Sequence, residues 1–307
     1  MNHWLAPLLF FCAAFLKGAE SGLERELSEL KAQGFRPQRA VSDTVKGVPL
    51  TAVLFHNPKQ GLDKLNVYAL LKDRTVMVYS HPSAVDRLEF SRSMLSDREF
   101  VNLLRDGSRT IVYHAATPGL NKRVLYILRC GGQGAAGTFG RALSYPGRGG
   151  GPRVRRVAAF PEGTLRDVDD DGRLEIVSRA LPLGRFFSVE CEDFQTLAQT
   201  AFQTRIYSWR DGRFVDVSAK FPAFFESDIA RLEERLALIP KEKRPGDYLG
   251  GAVAVYYDYT AEGKRRKGWE RLCELLKPPP IPIPRLAECI NKVKTDLRRK
   301  LGIPADW

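Results

Sequence analysis

One acidic stretch, residues 167–175, constrains the fold of this chain more than any other part of the sequence. Its carboxylates stand at positions one, three, five and nine, and they are Asp167, Asp169, Asp171 and Glu175. Gly172 occupies position six, where a sharp backbone reversal suits a residue without a side chain. Residues 154–160 lead into the stretch with strand character, and residues 174–179 leave it with strict alternation of apolar and polar side chains. The stretch is therefore predicted to be a tight loop between two strands.

Alternate carboxylates in a tight loop are the oxygen donors that a hard divalent cation requires. Calcium takes six to eight oxygen ligands, and a loop supplies them when alternate side chains turn inward. The predicted ligands are the carboxylates of Asp167, Asp169, Asp171 and Glu175 and the backbone carbonyl of Arg173. Asp170 is expected to face solvent. A divalent ion would also remove the repulsion among the crowded carboxylates, so Ca2+ is the predicted cofactor.

The same residues leave other interpretations to weigh. A helix-loop-helix calcium site needs a carboxylate at position twelve, which is Ser178, so that class of site is excluded. An acidic turn that binds no ion stays open as an alternative, because Asp-Gly turns are common between strands. Magnesium or another ion is the third alternative.

The loop and its flanking strands, about residues 154–178, resemble the calcium loop of the integrin-type FG-GAP repeat and of the related VCBS repeat. This is a hairpin motif of secreted β-proteins. The resemblance implies that the ion holds a strand connection at the rim of a β-propeller blade or sandwich, with the ligand positions given above. The upstream FG and GAP elements are absent, with Phe139-Gly140 as the candidate for a displaced remnant. Because the loop occurs once and a closed propeller needs several blades, a partial propeller or a single sandwich is predicted.

Hydrophobic periodicity divides the rest of the chain into a strand-rich part and a helical part. Strand-like runs lie at residues 48–56, 65–71, 75–80, 109–115, 123–130, 154–160, 174–179, 185–191, 203–209 and 213–218. Helical patterns lie at residues 21–33, 228–239, 248–259, 262–276 and 285–301. The predicted fold class is α+β. An antiparallel β-domain with an N-terminal helix spans residues 20–222, and a helical domain spans residues 223–307.

Four segments of the predicted β-domain have signals of their own. Residues 83–105 are ambiguous, although residues 96–99 look like the start of a helix. Residues 131–152 hold nine glycines and are predicted to be a long loop. Asp211-Gly212 is a two-residue hairpin signal, and its hairpin at residues 207–217 resembles another at residues 68–78. The two hairpins suggest a short internal repeat.

The first residues predict export. Residues 5–16 form an apolar run that is too short to span a bilayer and has the length of a signal-peptide core. Cleavage after Ala19 would remove residues 1–19 and leave no transmembrane anchor in the mature chain. A buried N-terminal helix and an uncleaved anchor are the alternatives. The predicted location is periplasmic or extracellular.

Four cysteines remain after the leader, and an even number in an exported chain allows three disulfide pairings. Cys273 and Cys289 lie in helical patterns on either side of a proline-rich turn, which favours that pair and leaves Cys130 with Cys191. Four free thiols are one alternative. A zinc site is another, although no CxxC spacing and no neighbouring His supports it.

The net charge and the histidines do not identify a partner for this chain. The net charge is +12, but the basic residues are scattered, and the one dense run is residues 264–267, so there is no specific nucleic-acid signal. His56, His81 and His114 fit no metal or catalytic spacing. We therefore expect an exported, non-catalytic calcium-binding module for a protein or glycan ligand. A secreted hydrolase acting on an acidic polymer is the alternative, and a cytoplasmic nucleic-acid binder is the third.

Overall fold

The computed structural model describes residues 23–71, 74–81, 85, 87–97, 99–116, 123–131, 153–184, 196–240, 243–277 and 284–307. The chain forms two units, and each is described by itself. The first comprises Met1–Gly163 with Trp209–Phe214, and the second comprises Thr164–Ser208 with Val215–Trp307.

The first unit contains two four-stranded antiparallel meanders, in which consecutive strands are neighbours. The first sheet, in the order β1-β2-β3-β4, consists of β1 (Arg36–Val45), β2 (Val48–Asn57), β3 (Leu62–Leu71) and β4 (Arg74–Ser80). The second sheet, in the order β5-β6-β7-β8, consists of β5 (Arg87–Phe90), β6 (Arg109–Ala116), β7 (Arg123–Cys130) and β8 (Val154–Pro161). Among the described residues of this unit, two helices accompany the sheets: α1 (Leu23–Ala32) and α2 (Arg92–Asp97).

In its described residues, the second unit combines a third four-stranded sheet with five α-helices and a short 3-10 helix, Ser218–Lys220. The sheet has the order β12-β11-β10-β9 and consists of β9 (Thr164–Arg166), β10 (Glu175–Ala180), β11 (Gln203–Arg210) and β12 (Arg213–Asp216), the tip of the last hairpin being counted with the first unit. The helices are α3 (Leu197–Thr200), α4 (Pro222–Ala237), α5 (Pro245–Ala261), α6 (Arg265–Leu275) and α7 (Pro284–Lys300). The predicted α+β class with an antiparallel β-domain and C-terminal helices is confirmed. In each of the three sheets, strands that follow one another in the chain are neighbours.

The local predictions fail where contacts distant in sequence override local signals. The strand β1 has no clear alternation and was not expected. The helix predicted to start at residues 96–99 does not form, because α2 ends at Asp97 and the following chain is held elsewhere. Val101 forms an antiparallel bridge with Thr110, and the backbone N–H of Phe100 donates to the Asp43 carboxylate at 3.3 Å.

The structure groups the third sheet with the helices, whereas the sequence predicted a boundary between residues 222 and 223. The reason is an apolar cluster that joins sheet and helix. Val177 on β10, Ile206 on β11 and Val217 pack with Phe225 of α4, and Phe225 is fully buried. The division therefore falls at Gly163.

The predicted disulfide pairs are wrong. Cys130 and Cys273 are both free, so neither the Cys273–Cys289 bond nor the Cys130–Cys191 bond forms. Cys130 is fully buried on β7, and this burial raises the pKa of its thiol. Cys289 is disulfide-bonded, although not to either free cysteine. Two cysteines that are close along the chain need not lie on helix faces that meet. The proline-rich turn between Cys273 and Cys289 was therefore not a valid reason to pair them.

Several predicted segments lie outside the described residues. They are the leader at residues 1–19, most of the glycine-rich segment 131–152 and the strand predicted at residues 185–191, which includes Cys191. Within the part of the chain that is described, no helix has both the length and the apolar character needed to cross a membrane.

We predict that the apolar cluster stabilises the second unit through Phe225. Replacing Phe225 with Ala removes a fully buried ring and should lower the free energy of unfolding by about 3–5 kcal/mol. Leu238, which follows α4 and is 84% exposed, is the control, and Leu238→Ala should change stability by less than about 0.5 kcal/mol. Urea unfolding measures both. Equal losses in the two variants would contradict the assignment of this core.

Candidate metal centre

The acidic stretch forms a loop between two strands, β9 and β10. The strand that the sequence predicted ahead of the loop, residues 154–160, is instead β8 of the second sheet, and the short β9 was not predicted. Glu175 pairs with Arg166 across the ladder and closes the loop. The backbone adopts positive φ at Asp170 (56°) and Gly172 (76°). Glycine takes this conformation without steric cost, and aspartate is among the few other residues that tolerate it. The sequence thus encodes the reversal as well as the carboxylates.

Three carboxylates converge inside the loop. One oxygen from each of Asp167, Asp169 and Glu175 lies within 4.8 Å of the others. Oxygens that share one calcium ion at about 2.3–2.6 Å lie at most about 5 Å apart, so the observed spacing fits such an ion. Among the described residues, no other group of His, Cys, Asp or Glu side chains converges in this way.

Backbone N–H groups of the loop fix two of these carboxylates in place. The Asp167 carboxylate accepts hydrogen bonds from the N–H of Asp171 at 3.1 Å and of Gly172 at 2.8 Å. One oxygen of Glu175 accepts a hydrogen bond from the N–H of Val168 at 3.3 Å. A carboxylate oxygen has more than one lone pair, so these bonds orient the groups and leave capacity for a cation.

The Glu175 carboxyl group lies in an unfavourable electrostatic environment. Glu175 is 4% exposed, and burial raises the pKa of its carboxyl group. The hydrogen bond from the backbone N–H of Val168 lowers this pKa in part, and the charges of Asp169, Asp171 and Asp167 raise it further. A divalent cation among the three converging carboxylates would relieve both the burial of the charge and the mutual repulsion.

Asp171 is placed differently from the prediction. One of its oxygens accepts a hydrogen bond from the N–H of Arg173 at 2.7 Å, and the other lies 3.2 Å from the Arg173 Nε. It is not a member of the converging group. The carbonyl of Arg173 stays a predicted ligand. Asp170 is exposed, in agreement with the prediction.

The apolar cluster packs against the loop, and the sequence analysis did not predict this contact. Val168, between two carboxylates of the loop, packs against the cluster that contains Val177 and Phe225. The Arg166 guanidinium lies 5.5 Å from the ring centroid of Phe224. The one available signal was the apolar side chain of Val168 inside an otherwise acidic stretch.

The three described histidines have contacts of a structural kind. His56 Nδ1 lies 2.7 Å from the Asp63 carboxylate, directly across β2 and β3. His114 Nε2 donates to the carbonyl oxygen of Gly163 at 2.8 Å, which fixes its tautomer. His81 is buried with its ring edge-on to two tyrosine rings. None belongs to the converging acidic group.

Comparison of the chain with protein-family models, with curated proteins and with solved structures gave no match. The resemblance of the loop to the FG-GAP and VCBS repeats therefore stays a prediction.

We predict that Asp169 is a calcium ligand and Asp170 is not. Asp169→Asn removes one of the three converging carboxylates and should weaken calcium binding by about tenfold or more. Isothermal titration calorimetry measures the affinity.

Asp170→Asn is the matched control, because it removes one charge from the same loop and Asn tolerates the positive φ of 56°. It should change the affinity by less than about threefold, since an exposed charge is screened by salt. Equal effects in the two variants would mean that the loop attracts calcium only through its overall charge.

Proposed function

We propose that this chain is an exported binding module whose loop at residues 167–175 is held by a calcium ion. The observation that carries the proposal is the convergence of Asp167, Asp169 and Glu175, with Glu175 buried among negative charges. The proposed role of the ion is structural. The ion holds the β9–β10 loop against the apolar cluster and keeps the exposed side of this hairpin in one conformation.

The chemistry of the donors favours calcium over other ions. All the donors in the loop are oxygens, which disfavours zinc, copper and other ions that prefer nitrogen or sulfur. Magnesium demands near-ideal octahedral geometry and keeps several waters, whereas calcium accepts the irregular arrangement that a short loop offers. Carboxylates together with a backbone carbonyl are a typical calcium ligand set.

Two features support an exported location. The apolar run at residues 5–16 has the length of a signal-peptide core. Cys289 is disulfide-bonded, and disulfides persist mainly in oxidising compartments. Calcium sites of extracellular modules are commonly weak, since the ion is abundant there. The proposed ligand is a protein or a glycan of the cell envelope.

The basic run at residues 264–267 supports a partner other than nucleic acid, because its charges are used inside the second unit. Lys264 Nζ lies 2.6 Å from the Glu262 carboxylate, and Arg265 donates to the carbonyl of Leu301 at 2.6 Å. The remaining partners of the run are Glu226, the carbonyl of Gly302, Glu270 and the ring of Tyr259. An internally paired run offers little to a phosphate backbone.

We predict that calcium stabilises the folded chain. A calcium concentration of about ten times Kd should add about 1.4 kcal/mol to the free energy of unfolding. Thermal unfolding with calcium and then with a chelator measures the shift in Tm. Asp169→Asn should lose the shift and Asp170→Asn should keep it, and an equal concentration of magnesium should produce a smaller one. A Tm that does not respond to calcium in the wild-type chain would overturn the proposal.

We also predict that export removes the leader. When the full chain is produced in a secreting host, mass spectrometry of the exported protein should show a mature chain that begins at residue 20, directly after Ala19. A variant with Leu8 and Leu9 replaced by Arg disrupts the apolar core and should stay inside the cell. Wild-type protein that is retained with residues 1–19 intact would contradict the proposed location.

A further inference from the structure

A second acidic arrangement lies in the second unit, where α4 and α5 meet. Asp258, near the end of α5, is 1% exposed. Neither oxygen of its carboxyl group has a hydrogen-bond donor. An isolated buried carboxylate is strongly disfavoured, so a group in this position either has a cationic partner or holds a proton.

The group that Asp258 contacts is another acid, Asp228 of α4. The Asp228 side chain is only 11% exposed, and its negative charge is offset by two arginines. Arg231 pairs with it from the same helix, and Arg179 of β10 lies 4.0 Å away. Among the charged groups, Asp228, Arg179 and Arg231 act most strongly on Asp258.

Two carboxyl groups in contact cannot both be ionised at low cost, and their environments decide which one holds the proton. Asp228 has the two arginines beside its carboxylate. Asp258 is the more deeply buried group. Burial, and then the charge of Asp228, raise the pKa of Asp258 from 3.8 to about 8.

We propose that Asp258 and Asp228 share one proton, with the Asp258 hydroxyl donating to the Asp228 carboxylate, and that this bond is a pH-sensitive latch joining α4 to α5. The bond gives the Asp258 carboxyl group a hydrogen-bond partner. The pair then carries a single negative charge, and the two arginines offset it. Loss of the proton leaves two adjacent buried anions and weakens the junction. The latch does not depend on the metal site.

The sign of the pH effect follows from proton linkage. Between the unfolded pKa of 3.8 and the folded pKa of about 8, the folded chain holds a proton that the unfolded chain has lost. Rising pH therefore favours unfolding in this window, by about tenfold in the unfolding equilibrium constant for each pH unit. Above about pH 8 both the folded and the unfolded chain have lost this proton, so the pair no longer changes the free energy of unfolding as the pH rises.

Urea unfolding of the full chain at several values between about pH 5 and about pH 8 tests the latch. The neutral Asn side chain resembles the protonated acid and does not titrate. The free energy of unfolding of Asp258→Asn should therefore lack the pH dependence that this proton produces. The unfolding constant of the wild type relative to Asp258→Asn should rise about tenfold per pH unit across this range. Asp306→Asn, at an exposed position, should leave the wild-type pH profile unchanged. A constant ratio between wild type and Asp258→Asn would overturn the proposal.

Infrared spectroscopy gives a second readout that needs no variant to fold. With 13C in the aspartate carboxyl groups, a protonated C=O band should be present near neutral pH and should disappear as the pH passes about 8. The label distinguishes Asp258 from Glu26 and Glu175, whose pKa values are also raised. If no protonated aspartate band is found at neutral pH, the shared proton does not exist.

Discussion

The buried carboxylate of Glu175 is the constraint on which this account of the second unit depends. It stands at the first residue of β10, so its backbone belongs to the sheet ladder while its side chain faces the acidic loop. Moving it to solvent would break the register that also sets Ile176 and Val177 into the interior. The strand pairing that builds the sheet therefore keeps the Glu175 carboxylate buried. The loop must offset the free-energy cost of burying this negative charge.

The acidic loop and the apolar cluster belong to one hairpin. Alternation along β10 turns the side chains of Glu175 and Val177 to the same face of the strand, because they stand two residues apart. Val168 links the two groups, since it packs on the cluster while its neighbours Asp167 and Asp169 converge with Glu175. An ion that holds Asp167 and Glu175 together would also hold Val168 on Phe225. Ion binding and core packing would then reinforce each other.

How far the sequence alone predicted this structure depends on the range of the interactions involved. The strands and the acidic loop were predictable because alternation, an Asp-Gly turn and carboxylate spacing are local. The likeness between the hairpins at residues 68–78 and 207–217 also has a structural counterpart, since both join the third and fourth strands of their meanders. The pairing of Asp171 with Arg173 is local, but carboxylate spacing alone does not show which side chains turn inward. Contacts between residues distant in sequence were not predictable: the grouping of the third sheet with the helices, and the free thiols of Cys130 and Cys273. The contact between Asp228 and Asp258 is of the same kind, because periodicity places each on a helix but does not pair the helices.

The most direct measurement of the central claim is a crystal structure of the protein grown with calcium, with anomalous data collected to identify the ion. We expect an anomalous peak between Asp167, Asp169 and Glu175, with their oxygens at about 2.3–2.6 Å from it. A well-ordered loop without such a peak, or one in which the three side chains point apart into water at saturating calcium, would contradict it.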